Sequence, residues 1–333
     1  MSSLLRACVI GMGVMGRHHV RVLGELTGVQ LVGVAEPEGP HDAPPLTCPI
    51  FRDLDELLDQ RPDMCVVAAP TVDHVELGMR LAAAGIPTLL EKPLAATTTD
   101  GMRLVETFEA AGVPAGVGHI ERYNPAVQAL HSRLAAGELG EIYQVVTSRQ
   151  GPFPDRIRDV GVVKDLATHD LDLTPWVTGS TYDTVSAHIL HRSGRPHEDL
   201  VAVAATLSDG AVASHLVNWL TPTKERYIAV TGERGRFVAD TLTADLTRFA
   251  NASVPARWDN LAGFRGVSEG DVLRFAIDKP EPLVSELSAF RDLVRGESAS
   301  VVSLHEGLAA LEMAERVLEA ADSDSVIRLH PIP

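Results

Sequence analysis

Between residues 4 and 120, short apolar runs rich in β-branched residues alternate with stretches of helical spacing, and this rhythm constrains the fold more than any other feature. LLRACVIGMG, VQLVGVAE, MCVVAAP, PTLLEKP and VPAGVGH read as strands. Between them lie helix-like stretches, among them DLDELLDQ, HVELGMRLAAAG and TTTDGMRLVETFEAAG, several closed by a glycine where a C-cap needs one. Alternation of this kind predicts a parallel sheet wrapped by helices. The near-continuous apolar character of the strands agrees, because both faces of such a sheet are covered.

From about residue 141 the rhythm changes. EIYQVVTSRQ, YDTVSAHILHR, DLVAVAATLSDGAVASHLVNWL and ERYIAVTGERGRFVADTLTADLTRFA are longer strands joined by tight-turn signals at Ser208-Asp209-Gly210 and Glu233-Arg234-Gly235, the pattern of an antiparallel meander. DLVAVAATL is apolar on both alternating sets of positions, so one face is expected to cover helices and the other to meet a second subunit, giving a homodimer or homotetramer through this sheet. The tail, PLVSELSAFRDLVRG and HEGLAALEMAERVLEAADS, has leucine and alanine at helical spacing and is expected to pack back on the sheet or on the first domain. With 333 residues the chain exceeds what one core holds, and the boundaries predicted are 1–122 and 123–333.

Composition removes several functional classes. The formal charge of −16, with its acids scattered, disfavours nucleic acid and anionic membrane as partners. Cys8, Cys48 and Cys65 have neither paired nor metal-like spacing, no histidine spacing points to a metal, and a reducing cytoplasm fits. The first residues, MSSLLRACVIGMG, lack a basic lead and are broken by Arg6 and glycines, so neither a signal peptide nor a membrane span is expected.

Gly11, Gly13 and Gly16 follow the first strand and open a helix with G-x-G-x-x-G spacing. The glycines permit a tight turn, close approach of a pyrophosphate and tight packing of helix on strand, while the helix N-terminus attracts the anion. The second strand ends in VGVAEPE, and Glu36 stands about where a carboxylate grips the adenosine ribose of NAD. A carboxylate there repels a 2′-phosphate and no arginine follows it in EPEGPHDAPP, so NAD is favoured over NADP.

LLEKPLA poses the chemical question, since an apolar strand ends in Glu91, Lys92 and Pro93 at the sheet edge where ligands bind in such folds. In KDLATHDLDL, Asp165 and His169 share one face if a helix begins there, so the carboxylate can fix the imidazole as a base. GMGVMGRHHVRVL, AAPTVDHVELGMRLAAAG, LLEKPLA, GHIERYNPAVQAL and GVVKDLATHDLDL occur in the order found in the Gfo/Idh/MocA oxidoreductases, and the chain resembles that family over nearly its whole length. The resemblance implies an N-terminal Rossmann domain with a doubly wound parallel sheet, and a C-terminal α+β domain with an open, mainly antiparallel sheet. It also implies a cis Lys92–Pro93 bond at the nicotinamide end of the site, with Met15, Pro70, Thr71 and His74 as further cofactor residues. Lys92, Asp165 and His169 would be catalytic, while Lys164, Asp170 and Asp172 leave the proton path open. Relatives often approach this Asp through a glycine-rich stretch, where DVGVVKDL here places Lys164 beside it.

Arg149, Arg156 and Arg158 precede the catalytic stretch, and His119, Arg122, Tyr123 and Asn124 follow the last Rossmann strand. In so acidic a chain this clustering, together with His169, points to an anionic substrate held by guanidinium forks, although pairing of the arginines with Asp155 and Asp159 explains any single one equally well. By resemblance the substrate is a sugar, in particular a UDP-N-acetylglucosamine-type nucleotide sugar oxidised at the 3-hydroxyl. Inositol or free-sugar oxidation, an NAD-dependent glycosidase with transient oxidation, and a non-catalytic NAD-binding regulator are the alternatives.

Overall fold

Six short strands, β1 (Leu5–Ile10), β2 (Val29–Ala35), β3 (Ile50–Phe51), β4 (Met64–Val67), β5 (Thr88–Glu91) and β6 (Ala115–Gly118), form one sheet in the order β3-β2-β1-β4-β5-β6, every pairing parallel. This is the doubly wound order, with its reversal between β1 and β4. The structure is a computed structural model and describes residues 4–37, 48–153, 160–252 and 269–329.

Helices α1 (Val14–Glu25), α2 (Leu54–Leu58), α3 (His74–Ala83) and α4 (Thr98–Ala111) join the strands. Their ends follow side-chain chemistry. Asp53 accepts a hydrogen bond from the Glu56 backbone N–H and Thr97 from that of Asp100, each capping a helix start. Gly112 adopts the left-handed conformation that closes α4.

After α5 (Pro125–Ala135), the remaining described strands make a second sheet: β7 (Ile142–Pro152), β8 (Tyr182–Leu190), β9 (Leu200–Leu207), β10 (Val212–Asn218), β11 (Leu220–Gly232), β12 (Gly235–Asp240), β13 (Asp245–Asn251), β14 (Glu269–Arg274) and β15 (Ile327–Arg328). The order is β14-β13-β12-β11-β7-β10-β9-β8-β15. Both turn signals close hairpins, with Gly210 between β9 and β10 and Gly235 at the start of β12 at positive φ. The sheet departs from a simple meander at β7, which lies between β10 and β11 and pairs in parallel with β10. Helix α6 (Thr168–Thr178) lies on the connection from β7 to β8, a crossover that frees β7 to take a non-sequential place.

The chain divides into two compact units, Met1–Tyr123 with Pro280–Glu312, and Asn124–Lys279 with Met313–Pro333. The tail, which the sequence leaves free to pack on the sheet or on the first domain, contributes to both. Helix α7 (Pro282–Val294) buries Leu283, Leu287 and Phe290 in a cluster with Val20, Leu23 and Val34. Of helix α8 (Leu304–Ser323), Leu304, Leu308 and Leu311 belong to a core with Leu90, Leu104 and Phe108, whereas Met313, Ala314, Val317 and Ala320 join the core of the second unit. Phe290 is fully buried. Phe290→Ala is expected to destabilise the first unit by about 3–5 kcal/mol; denaturant melts of the variant and the parent, followed by tryptophan-independent circular dichroism, measure it.

Candidate functional site

The three glycines of the loop after β1 have three different reasons to be glycine. Gly11 has φ +93°, and a Cβ there would stand 2.7 Å from the backbone of Ala68 and Ala69 in the loop after β4. At Gly16 a Cβ would stand 2.0 Å from the Gly11 carbonyl oxygen, so helix and loop pack in direct backbone contact. Gly13 differs, because nothing lies within 4 Å of a Cβ built on it. It is the N-cap of α1 and no side chain caps that helix end. An uncapped helix N-terminus beside open space suits a pyrophosphate. Met15 is half-buried on the first turn of the same helix.

Glu36, just beyond β2, accepts a 2.6 Å hydrogen bond from the Met12 backbone N–H. Its carboxylate is thereby held against the glycine loop, in the place a ribose diol requires. The residues present therefore fit NAD.

On β5 the charged end is built from buried parts. Glu91 is 7% exposed, its Oε1 lies 2.8 Å from His19 Nε2 on α1, and its Oε2 accepts the Lys92 backbone N–H at 3.1 Å. Burial pushes this carboxyl up, but the His19 hydrogen bond and charge, with the Lys92 ammonium, outweigh it and hold the group below its ordinary value. Lys92 itself is half-buried, and the Lys92–Pro93 peptide is cis, as the resemblance implied. Pro70 is exposed and Thr71 half-buried at the short turn after β4.

Several residues singled out from sequence have partners within the fold. His74, expected on the cofactor, is buried with its ring nitrogens 3.2 Å from the Leu94 carbonyl and 3.1 Å from that of Ala69, so it ties two loops together inside the fold. Burial pushes its imidazole down, against the pull of these carbonyls. Arg149, expected on a substrate anion, is 2% exposed and grips the Asp170 carboxylate with Nε at 3.0 Å and a terminal nitrogen at 3.2 Å. Arg122 pairs with Glu306 at 2.5 Å, Tyr123 donates to the Ser300 carbonyl, and Asn124 caps α5 while donating to the Thr241 carbonyl. A buried guanidinium is costly to leave unpaired, and each of these two arginines has an acid as partner. His119 is buried next to this turn. Arg156 and Arg158 lie outside the described residues.

Asp165 and His169, both nearly buried, stand where a π-turn, Val163–Ala167, runs into α6. If a plain helix began there, these residues would share one face four apart, but the wider turn changes their angular relation. π-turns of this sort are uncommon and often mark functional positions. Lys164 Nζ lies 3.9 Å from Glu315 of α8, so the lysine beside Asp165 has an acid of its own. On α6, Asp170 is fixed by Arg149, and a hydrogen-bonded chain joins Thr147 Oγ1, His215 and the Tyr182 hydroxyl at 2.8 and 3.1 Å. Burial pushes His215 down to about 4, so it serves this chain as a neutral ring.

Sequence reasoning missed Glu286. It is 1% exposed on α7, and neither carboxylate oxygen has a hydrogen-bond partner among the described residues. Its place on the face that carries Leu283, Leu287 and Phe290 was the available signal.

Family models match in two segments. Residues 5–119 match the oxidoreductase family with an NAD-binding Rossmann fold, and 127–238 match the Gfo/Idh/MocA C-terminal domain. The chain belongs to the Gfo/Idh/MocA family. It is 31% identical over 213 residues to UDP-N-acetylglucosamine 3-dehydrogenase of Acidithiobacillus ferrooxidans, a match covering 63% of this chain and 66% of that protein. A crystal structure of that relative matches with a TM-score of 0.82 at 24% identity, covering 96% of this chain and 98% of the other. Inositol 2-dehydrogenase 2 of Saccharopolyspora erythraea is 30% identical over 208 residues, covering 57% of this chain and 59% of that one. The WlbA dehydrogenase of Bordetella pertussis, solved with NADH and UDP-GlcNAcA, matches with a TM-score of 0.79 at 22% identity, over the full length of both chains.

Burial, and then the charge of Glu91, raise the Glu286 carboxyl well above its ordinary value of 4.5, so the folded state keeps it neutral while the unfolded chain ionises it. Below 4.5 both states are protonated and the group is without effect; above it, folding is opposed by an amount that grows until the folded carboxyl itself ionises. Glu286→Gln is therefore expected to raise the melting temperature near pH 8 and leave it nearly unchanged near pH 4. Thermal melts across that range decide it, and an equal shift at both ends contradicts the assignment.

Proposed function

We propose that the protein is an NAD-dependent dehydrogenase acting on a secondary alcohol of a sugar, with a nucleotide sugar of the UDP-N-acetylhexosamine type, oxidised at C3, as substrate. The observation that carries this reading is the end of β5, where a buried carboxylate engaged on both oxygens fixes the backbone from which Lys92 projects. The glycine cradle and Glu36 supply the cofactor side of the argument, and the family's name and its relatives supply the substrate class.

NAD, when bound, supplies the hydride acceptor. The substrate carbon gives up its hydrogen with the bonding pair, the oxygen gives up a proton, and a ketone results. The Lys92 ammonium stabilises the developing alkoxide and His169 accepts the proton, with Asp165 orienting the ring. Since Arg122 and Arg149 are engaged elsewhere, Arg156 and Arg158 remain the sequence candidates for an anionic substrate. Inositol oxidation is the second reading, favoured by the similarity to an inositol 2-dehydrogenase.

NADH absorbance against a panel of UDP-sugars, free sugars and cyclitols separates the two, with turnover expected on the UDP-sugars and with NAD in preference to NADP. Activity confined to cyclitols selects the second reading. Lys92→Ala is expected to leave NAD binding intact and lower kcat by about 10²- to 10⁴-fold; near-parental turnover rejects the role given to Lys92.

We also place self-association on the second sheet and the protein in the cytoplasm. Val212, Leu216, Phe249 and Val272 are 40–62% exposed on β10, β13 and β14, an apolar set that association would cover. No described helix is long and apolar enough to cross a membrane, and the three cysteines are free thiols. Light scattering is expected to show a dimer or tetramer, and Leu216→Glu to shift it towards the monomer.

A further inference from the structure

The turn that carries Asp165 and His169 is entered through Gly161, Val162 and Val163, and the N–H groups at the start of any helical turn have no partner within it. The intrahelical pattern begins only with the Asp165 N–H, which bonds the Gly161 carbonyl at 3.1 Å. Two of the groups before it are met from farther along the chain. The Val162 N–H donates to the Glu198 backbone carbonyl at 3.0 Å, and the Val163 N–H donates to Glu198 Oε1 at 2.9 Å. Val163 is fully buried and Glu198 is 7% exposed, so this carboxylate is withdrawn from water to make the bond.

Gly161 leaves room for it. A Cβ at that position would stand 2.0 Å from both Glu198 carboxylate oxygens, so the acid occupies the space a side chain would take. The rest of the β8–β9 connection holds Glu198 in place. Asp199 accepts hydrogen bonds from the Arg192 and Ser193 backbone N–H groups at 2.6 and 2.8 Å and from the Ser193 hydroxyl at 2.7 Å. Arg195 donates to the Val160 carbonyl at 2.9 Å and lies over the Phe153 and Trp219 rings. One loop therefore grips the entry of the turn at Val160, Val162 and Val163.

We propose that Glu198 is a positioning residue for the reaction, its backbone and side-chain oxygens fixing the turn that presents Asp165 and His169 to the substrate hydroxyl. The inference rests on the proposed role of His169. A carboxylate at a helix start is stabilising whatever the helix carries. A cap that only stabilises, however, changes melting and not the rate of the folded enzyme, whereas a small misplacement of a base costs rate directly.

Glu198→Ala is expected to lower kcat about 10- to 100-fold, with KM for the sugar and affinity for NAD little altered. Glu198→Gln keeps an acceptor oxygen at the same reach and is expected to restore most of the rate. Gly161→Ala displaces the carboxylate without removing it and is expected to lose a similar factor, and the double variant Gly161→Ala/Glu198→Ala to be no slower than either single one, because both remove one interaction. Parental kcat in both single variants overturns the proposal. So does a loss that vanishes well below the variant's melting temperature. Should Glu198→Ala fail to fold, Glu198→Asp decides the matter: its carboxylate is one methylene short of Val163, a clear fall in kcat supports the proposal, and full activity overturns it. The His169→Asn variant separates the two failures. If it turns over normally, the role of His169 is wrong whatever Glu198 does; if it is inactive while Glu198→Asp is fully active, only the positioning role is lost.

Discussion

The bond between His19 and Glu91 is the interaction on which the charged end of β5 depends. It joins the helix that begins at the glycine loop to the strand that ends just before Lys92, and it is buried on both sides. A carboxylate in so dry a place is tolerated only when its oxygens are met. Here one oxygen faces an imidazole and the other the N–H of the next residue, so satisfying the charge also orients the peptide from which the ammonium projects. The triplet at the end of β5 is thus a structural device first, with a chemical group mounted on it.

The second unit solves the same problem differently. Its candidate base lies on a helix, and buried pairs beneath and before that helix fix it: Arg149 with Asp170 on its inner side, and Glu198 at the start of the turn. Both acids are withdrawn from water. A charge withdrawn from water costs several kcal/mol unless its oxygens are met, so each acid holds its partner in place.

Much of this was legible in the sequence, for reasons that differ by element. The glycine loop could be read because each glycine answers a local demand, a positive φ at Gly11 and a backbone contact at Gly16. Helix starts could be read at Asp53 and Thr97 because a cap is contained within four residues. The partners of Arg149 and Arg122 were not legible, because a side chain's chemistry does not say which group the fold will bring to it: Asp170 is 21 residues from Arg149, and Glu306 is 184 from Arg122. The parallel pairing of β7 with β10 escaped for a related cause, since hairpin signals describe only neighbours in sequence. The π-turn differs from an α-helix by a widening that leaves residue types unchanged, and nothing in KDLATHD announces it.

Gly161 and Glu198 meet at a distance that leaves no room for both a side chain and a carboxylate. They form one steric locus supplied from two distant places in the chain. A side chain at 161 has to push the carboxylate off the Val163 N–H, so the hydrogen bond and the missing Cβ are two halves of one joint.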